Sequence, residues 1–293
     1  MASDDTSDIE VLRSVLYMPS ANDRALEKAK TLPADAIIFD LEDAVAPDAK
    51  VDARAKAAAA VASGEYGNRL LTIRCNGLTT PWGAEDIAAA AQATPAAVVI
   101  PKVDTADELD AVAEALSAAG ASDSVSVWAM IESPLGVLNA LDIARHPRCS
   151  AFVMGTNDLA KELRAPLTAG RANLVPHLAA TILAARAAQI AVLDGVYNNI
   201  KDPQGFAAEC AQGFELGFDG KTLIHPNQIE TCNDTWSPSQ KEVENAKKVI
   251  SAFSAAEAAG SGVATVDGRM IENLHVDNAR RVLATHNAIL QRL

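Results

Sequence analysis

The stretch Val125–Ser133, VSVWAMIES, carries the pattern on which the fold prediction rests, and Ala151–Asp158, AFVMGTND, repeats it. Each stretch is a short apolar run that ends in polar residues. An uninterrupted apolar run of this length predicts a strand buried on both faces, as in a parallel sheet. The polar residues that follow are then expected at the carboxyl end of the strand.

The same pattern recurs along the whole chain, and each run is followed by a segment long enough for a crossover helix. The predicted strands are Val15–Met18, Ala36–Asp40, Leu70–Arg74, Ala97–Pro101, Val125–Ile131, Ala151–Gly155, Ile190–Asp194 and Phe218–Leu223. Eight consecutive β/α units favour closure into a (β/α)8 TIM barrel over an open doubly wound sheet, which usually has fewer strands.

Helix start signals agree with this reading. Thr105–Glu108 and Ser237–Gln240 both match the capping-box pattern, and Pro238 would occupy the first helical position of the second. Asp202-Pro203 predicts a third helix start of the same kind. A Gly-Ser-Gly turn at Gly260–Gly262 then separates the eighth unit from an amphipathic tail. We therefore divide the chain into a barrel, residues 1–259, and a C-terminal segment, residues 260–293, which either packs across the barrel bottom or forms a lid or oligomer arm.

Composition excludes several classes of protein. The chain has 293 residues, of which 49% are hydrophobic and 22% charged, so a sizeable core is expected and disorder is not. The formal net charge of −13 disfavours nucleic acid and anionic membranes as partners. Four scattered cysteines form no C-x-x-C pair, and no apolar run reaches the roughly 18 residues that span a bilayer. The first ten residues are polar and acidic, so we expect a cytoplasmic protein.

Two carboxylates follow neighbouring predicted strands. In a β/α barrel the active site lies at the carboxyl ends of the strands, so Glu132 and Asp158 are expected to project into one cavity. Such a pair suits Mg²⁺, which is usually bound by one or two carboxylates together with waters and substrate oxygens. The alternative is that each carboxylate caps a helix or pairs with a basic neighbour.

Other charged strand ends also allow two interpretations. Arg74 is either a structural ion-pair partner or a fork for a substrate carboxylate or a developing enolate oxygen. The acidic cluster Asp40, Glu42 and Asp43 is either a solvated loop or a set of carboxylates that orients Arg74. Lys102 is either ion-paired or a Schiff-base lysine.

A third group of basic residues lies near the amino terminus. Arg24, Lys28 and Lys30 form either a solvated helix face or a phosphate clamp. The sequence has no G-x-S-x-G elbow, no G-x-G-x-x-G fingerprint and no complete P-loop, and its five histidines are dispersed. These absences argue against a serine hydrolase, a dinucleotide enzyme and a transition-metal enzyme.

The strand-end segments resemble those of the HpcH/HpaI aldolase and citrate lyase β-subunit-like enzymes, and the resemblance runs from about residue 13 to the last helix. The segments that carry it are Arg13–Pro19, Asp40–Pro47, Arg74–Gly77, Pro101-Lys102, Ile131–Ser133, Gly155–Asp158 and His225–Gln228. It implies a barrel with a C-terminal lid that serves a neighbouring subunit, hence a homo-oligomer such as a trimer or hexamer. It also implies Mg²⁺-dependent chemistry, with Mn²⁺ as the alternative ion, on short β-hydroxy-acyl-CoA thioesters.

By position, the resemblance assigns the metal to Glu132 and Asp158 and contact with the substrate carboxylate or enolate to Arg74. It assigns coenzyme A or substrate contacts to Tyr17, Lys28 and Asn157. A family arginine of the coenzyme A pocket is replaced here by Asn22, for which Arg24 or Lys30 is the candidate substitute.

The lid segment departs from the lyase pattern. Gly268–His275, GRMIENLH, has Glu272 where lyases of this family carry an aspartate that acts as acid or base. Together with Asn157–Leu163 and Asp194–Asn198, this segment is most similar to the branch that hydrolyses (3S)-malyl-CoA to malate and coenzyme A, with Glu272 or Asp43 activating water. The alternatives are a malyl-CoA or citramalyl-CoA C–C lyase and a citrate lyase β-like subunit that needs an acyl-carrier partner.

Overall fold

The computed structural model describes residues 10–292. Eight parallel strands form a closed barrel in sequence order, each hydrogen-bonded to its neighbours in the chain, and β1 closes the barrel against β8. The strands are β1 Ser14–Pro19, β2 Ala36–Asp40, β3 Leu70–Arg74, β4 Ala97–Ile100, β5 Ser126–Ile131, β6 Cys149–Met154, β7 Ala191–Asp194 and β8 Gly220–Leu223. The predicted (β/α)8 barrel is confirmed, and every predicted strand overlaps an observed one.

Helices follow the strands along the chain. They are α1 Asp23–Ala29, α2 Lys50–Ala62, α3 Gly83–Ala93, α4 Ala106–Ala118, α5 Pro134–Leu138, α6 Ala140–Ala144, α7 Thr156–Glu162, α8 Val175–Ala188, α9 Pro203–Leu216, α10 Ile229–Trp236, α11 Gln240–Ala258 and α12 Asn273–Arg292. A short antiparallel hairpin, β9 Ala264–Val266 and β10 Arg269–Ile271, precedes α12.

Most of the barrel strands are apolar because both of their faces are covered. Every residue of β2 and β4 is buried, and side chains such as Val15, Ile38, Trp128 and Val153 fill one core cluster. A barrel interior packed in this way leaves room for ligands only at its ends.

Helix caps confirm two of the three predicted starts. The Glu108 carboxylate accepts the Thr105 backbone N–H at 3.1 Å, and Asp202 accepts the Gly205 N–H at 2.9 Å. The Ser237–Gln240 prediction is wrong, because Ser239 caps α11 and Glu242 completes its capping box. Two such patterns overlap here, and the charged Glu242 is the stronger acceptor for the backbone N–H.

The chain divides into two compact units. One is Leu12–Thr235, which holds the barrel, and the other comprises Trp236 onward together with residues 10–11. The second unit contains the hairpin, α11 and α12, and its core includes Val249, Phe253 and Ile271. It begins before the division predicted at residue 259 because α11 buries its apolar face with α12 and the hairpin.

None of the helices within residues 10–292 is both long and apolar enough to cross a membrane.

Candidate active site

A cavity of about 430 Å³ opens where the barrel strands end. We call it the mouth cavity. Its lining comes from strand ends and the loops that follow them, and comprises Tyr17, Pro19, Asp40, Asp43, Ala44, Arg74, Met130, Glu132, Met154, Gly155, Thr156, Asn157, Asp158, Val196, Asn198, Thr222 and Ile224. Six residues predicted to form the site therefore share one cavity. They are Tyr17, Asp43, Arg74, Glu132, Asn157 and Asp158.

Arg74 is the fixed cation of the mouth cavity. β2 and β3 pair in a register that sets Asp40 beside Arg74, and the Asp40 carboxylate accepts Nε at 2.7 Å and Nη2 at 2.6 Å. Nη1 lies 2.8 Å from a Glu42 carboxylate oxygen and 3.6 Å from one of Asp43. The guanidinium also stacks 4.9 Å from the centre of the Tyr17 ring. Of the two interpretations of the acidic cluster, the structure supports the one in which its carboxylates orient Arg74.

The acidic residues around Arg74 differ in exposure. Asp40 is buried under Arg74, whereas the Asp43 side chain is 74% exposed. Burial raises the pKa of Glu42 to about 7, although nearby Arg74 opposes the shift. Burial also raises the pKa of the Tyr17 hydroxyl. Asp43 is thus the carboxylate of this group with the freest access to water.

Glu132 directly follows β5, Asp158 lies in the first turn of α7 after β6, and both residues line the mouth cavity. Glu132 is buried, and its Oε1 accepts the backbone N–H of Lys102 at 2.8 Å. Burial raises the pKa of Glu132 to about 7, and the charges of Glu42 and Asp158 add to the shift. The Lys102 ammonium lies 3.5 Å from Asp158 Oδ1. The ion-pair interpretation of Lys102 therefore agrees with the geometry.

Gly155 makes room for Glu132. A Cβ atom at this position would overlap the Glu132 carboxylate and its Cβ atom, so only glycine lets the two strand ends approach this closely. The glutamate is consequently held from two sides, by the Lys102 N–H and by the Gly155 backbone.

The donor set of this corner fits a hard divalent cation. Within residues 10–292, no group of three His, Cys, Asp or Glu side chains is placed to hold a metal ion by itself. Glu132 and Asp158 supply two carboxylates beside an accessible cavity, which is the protein share that Mg²⁺ commonly uses, since waters and substrate oxygens complete its octahedron.

Part of the mouth cavity is lined by uncharged residues. Asn157 and Asn198 exchange two side-chain hydrogen bonds of 3.1 and 2.7 Å, and Val196, Thr222 and Ile224 also line the cavity. Asn198 was not among the predicted site residues. Its position just after β7, in the resembling segment Asp194–Asn198, is the sequence signal that could have identified it.

Some predicted contact residues lie outside the mouth cavity. Arg24 and Lys28 are exposed on α1, and Asn22 caps that helix by accepting the Ala25 N–H. The Lys30 ammonium pairs with two glutamates, each at 2.6 Å. Lys30 is therefore less available to an anionic ligand than Arg24 and Lys28.

Glu272 belongs to the C-terminal unit. It is exposed immediately before α12, and its backbone N–H donates to Nδ1 of His275 at 3.1 Å. The sequence prediction that its carboxylate serves an active site stays a prediction.

Two charged residues of the last two barrel strands do not line the mouth cavity. Asp194 on β7 and Lys221 on β8 are fully buried and paired at 2.8 Å. Arg171 donates two hydrogen bonds to Asp194, and Lys221 reaches Glu209 of α9 at 2.7 Å. This buried ion cluster joins β7 and β8 to the surrounding helices and takes no part in lining the cavity.

The fold and the mouth cavity together define a β/α-barrel enzyme with charged strand ends. The chain belongs to the HpcH/HpaI aldolase/citrate lyase family, whose model matches residues 13–226. A second model, the C-C bond lyase of the TIM-barrel fold, matches residues 167–288. The predicted family is thereby confirmed.

Similar proteins cover almost the whole chain. A (3S)-malyl-CoA thioesterase of Cereibacter sphaeroides is 50% identical over 94% of this chain and 95% of its own length. Citrate lyase subunit beta of Escherichia coli is 37% identical over 93% of this chain and 92% of its own length. The solved structure of CitE from Mycobacterium tuberculosis in complex with magnesium, acetoacetate and coenzyme A has a TM-score of 0.75 and 26% identity, covering 94% of this chain and 97% of that one.

Proposed function

We propose that this enzyme hydrolyses (3S)-malyl-CoA to malate and coenzyme A. The observation that carries the proposal is the 50% identity, over 94% of the chain, to a (3S)-malyl-CoA thioesterase. The mouth cavity supports it chemically, because it offers a fixed guanidinium and a pair of carboxylates to a small, oxygen-rich acyl group.

Glu132 and Asp158 are the proposed ligands of Mg²⁺, with Mn²⁺ as the alternative ion. Magnesium accompanies coenzyme A in the related CitE structure. A bound divalent cation would supply Lewis acidity, polarising substrate oxygens so that charge developing on them is stabilised. The Lys102 N–H and Gly155 hold Glu132 in position for this role.

Arg74 is the proposed contact for the substrate carboxylate or the developing oxyanion. Its guanidinium is held by Asp40, Glu42 and the Tyr17 ring, so little reorganisation is needed when a substrate oxygen arrives. The cavity reaches Tyr17 and Pro19 at the end of β1, just before α1. We assign the coenzyme A portion to Tyr17, to the exposed Arg24 and Lys28 of α1, and to Asn157.

Hydrolysis breaks the bond between the thioester carbon and sulfur. A water oxygen adds to the carbon while a carboxylate takes the water proton, and the same carboxylate gives that proton to the departing sulfur, so that coenzyme A leaves as the thiol. Asp43 is one candidate base because it is exposed and lines the cavity. Glu272 is the other, acting as the lid carboxylate of a neighbouring subunit in a homotrimer or homohexamer.

We place the enzyme in the cytoplasm, which agrees with four free cysteines.

The test is a product assay. Purified protein is incubated with (3S)-malyl-CoA and Mg²⁺, with and without chelator, and the products are separated by chromatography. Malate and free coenzyme A, lost on chelation, are expected. Glu132→Gln should lower the rate by more than about 100-fold, beyond the effect of disturbing an outer partner of a metal ligand.

The second candidate function is C–C bond cleavage of the same substrate. The match of residues 167–288 to the C-C bond lyase model and the 37% identity to a citrate lyase subunit beta favour it. In the same assay it yields acetyl-CoA and glyoxylate instead of malate. If neither product pair forms, a subunit that requires an acyl-carrier partner becomes the leading interpretation.

A further inference from the structure

Lys102 has an unusual backbone conformation for its residue type. Its φ of 51° lies in the left-handed region, which residues other than glycine, asparagine and aspartate seldom occupy. Such a conformation is strained and persists where the surroundings impose it, often at functional sites. The position is the loop directly after β4, next to the ends of β5 and β6.

This conformation gives Lys102 a contact with each proposed metal ligand. Its backbone N–H donates to Glu132 Oε1 at 2.8 Å, while its ammonium lies 3.5 Å from Asp158 Oδ1. The two contacts differ in mobility. The first joins a backbone atom to a buried carboxylate, whereas the Lys102 side chain is 55% exposed and ends on a four-carbon stem.

The charge balance of this corner explains the need for a cation. Glu132 has Glu42 and Asp158 as like-charged neighbours, and Arg74 is already paired with Asp40 and Glu42. The ammonium of Lys102, 3.5 Å from Asp158 Oδ1, is a cation placed to offset the charge of Asp158.

We propose that Lys102 is a positioning residue with two separable parts. Its backbone N–H fixes Glu132 in the geometry for the metal, and its ammonium acts as an internal counter-ion that a divalent cation displaces from Asp158. The inference rests on the proposed metal site of the previous section. It predicts that the lysine side chain competes with the metal, which a purely structural ion pair would not do.

The test is metal affinity in variants that keep the backbone N–H. Mn²⁺ binding to the metal-free protein is followed by electron paramagnetic resonance of the free ion, and Mg²⁺ is added as competitor. Lys102→Met should bind Mn²⁺ about fivefold more tightly, because one positive charge is removed near a divalent ion at the exposed edge of the protein. Lys102→Arg keeps the charge and should stay within about twofold of the original chain.

Lys201→Met is the matched control, since Lys201 is exposed and does not line the mouth cavity. If it tightens binding as much as Lys102→Met, the effect is one of net charge and the proposal is wrong. Weaker or unchanged binding by Lys102→Met also overturns it, as does a lack of Mn²⁺ binding by the original chain. The proposed activity is judged separately. If Lys102→Met binds Mn²⁺ more tightly but the original chain forms no malate, this inference stands and the proposed hydrolysis is rejected. If the original chain forms malate but Lys102→Met does not bind Mn²⁺ more tightly, hydrolysis stands and this inference is rejected.

Discussion

Glu42 illustrates how burial and charge compete at a single residue. It touches Arg74, yet burial raises its pKa from 4.5 to about 7. Between these two values the folded chain holds this proton more tightly than the unfolded chain, so this group makes the free energy of unfolding fall as pH rises. The contribution is about 3 kcal/mol across that window.

Replacing Glu42 should therefore change how steeply the free energy of unfolding depends on pH. Glu42→Gln is expected to flatten the decrease in unfolding free energy between about pH 4.5 and pH 7, because the amide does not titrate. Urea unfolding of metal-free protein at several pH values measures it. Glu215→Gln on α9 is the matched control for the loss of one carboxylate at an exposed position. A parallel slope for Glu42→Gln and the original chain would show that Glu42 ionises normally.

Gly155 allows a test of how finely Glu132 must be placed. Gly155 has φ −95°, so alanine fits the backbone, but the new methyl group would overlap Glu132. Gly155→Ala should lower kcat/KM on malyl-CoA by about 100-fold, the loss expected when a reacting group shifts by an ångström. Steady-state kinetics and circular dichroism check activity and folding together.

Gly262→Ala is the matched control, because a methyl group there meets open space. Full activity of Gly155→Ala would mean that Glu132 either relaxes freely or is not a ligand.

At the scale of elements, β7, β8 and α9 are joined by the buried ion cluster. Lys221 is fully buried between Asp194 and Glu209, and both ion pairs raise its pKa against the opposing effect of burial. Lys221→Met leaves the two carboxylates to Arg171 alone. It should lower the free energy of unfolding by about 3–5 kcal/mol, the range for breaking one side of a buried ion pair.

Chemical denaturation at pH 7 measures this loss, with Lys201→Met as the exposed control. The variant's kcat at low temperature should remain close to that of the original chain, because Lys221 does not line the mouth cavity. A loss of activity without a loss of stability would contradict a structural role.

The strands were predictable because a fully buried parallel strand requires an uninterrupted apolar run. β2 and β3 coincide with the predicted Ala36–Asp40 and Leu70–Arg74. It was less predictable which strand residues have side chains that line the cavity. Lys221 and Thr222 are adjacent on β8, yet only Thr222 lines the cavity. Alternate residues of a strand point to opposite faces, and the register of the closed barrel decides which set lines the cavity. A local sequence pattern does not contain that register.

Residues that line the cavity were predicted where a charged residue ends or closely follows an apolar run, as at Arg74, Glu132 and Asp158. Asn198 was missed because it follows β7 within a loop, where a polar amide is unremarkable. The start of α11 was misplaced because the capping patterns Ser237–Gln240 and Ser239–Glu242 overlap. The choice between them depends on which side chain, the Gln240 amide or the Glu242 carboxylate, accepts the backbone N–H of the capping serine.

At the scale of the whole molecule, the proposed sharing of Glu272 between subunits makes a specific prediction. Glu272→Ala and Glu132→Gln should each be nearly inactive alone. If each lid serves a neighbouring barrel, a mixed oligomer contains some sites with an intact barrel and an intact lid, whereas sites built from one chain would never be intact.

Mixing the two variants under conditions that allow subunit exchange should therefore restore about a quarter of the original activity, the statistical share of intact sites for equal mixing. Activity and sedimentation are measured before and after exchange. No recovery in exchanged oligomers would place Glu272 in its own chain's site, and full activity of Glu272→Ala alone would place it outside catalysis.

The mouth cavity is divided by origin along the chain. The ends of β2, β3, β5 and β6 and the residues that follow them supply its ionised groups, whereas the segments after β7 and at the end of β8 supply the uncharged Val196, Asn198, Thr222 and Ile224. The charged groups are therefore encoded in the earlier stretch of sequence, and the later stretch contributes to the shape of the cavity alone. Substitutions in the later stretch can change which acyl group fits while leaving the charged groups intact, so a lineage can diversify its substrates without rebuilding its catalyst.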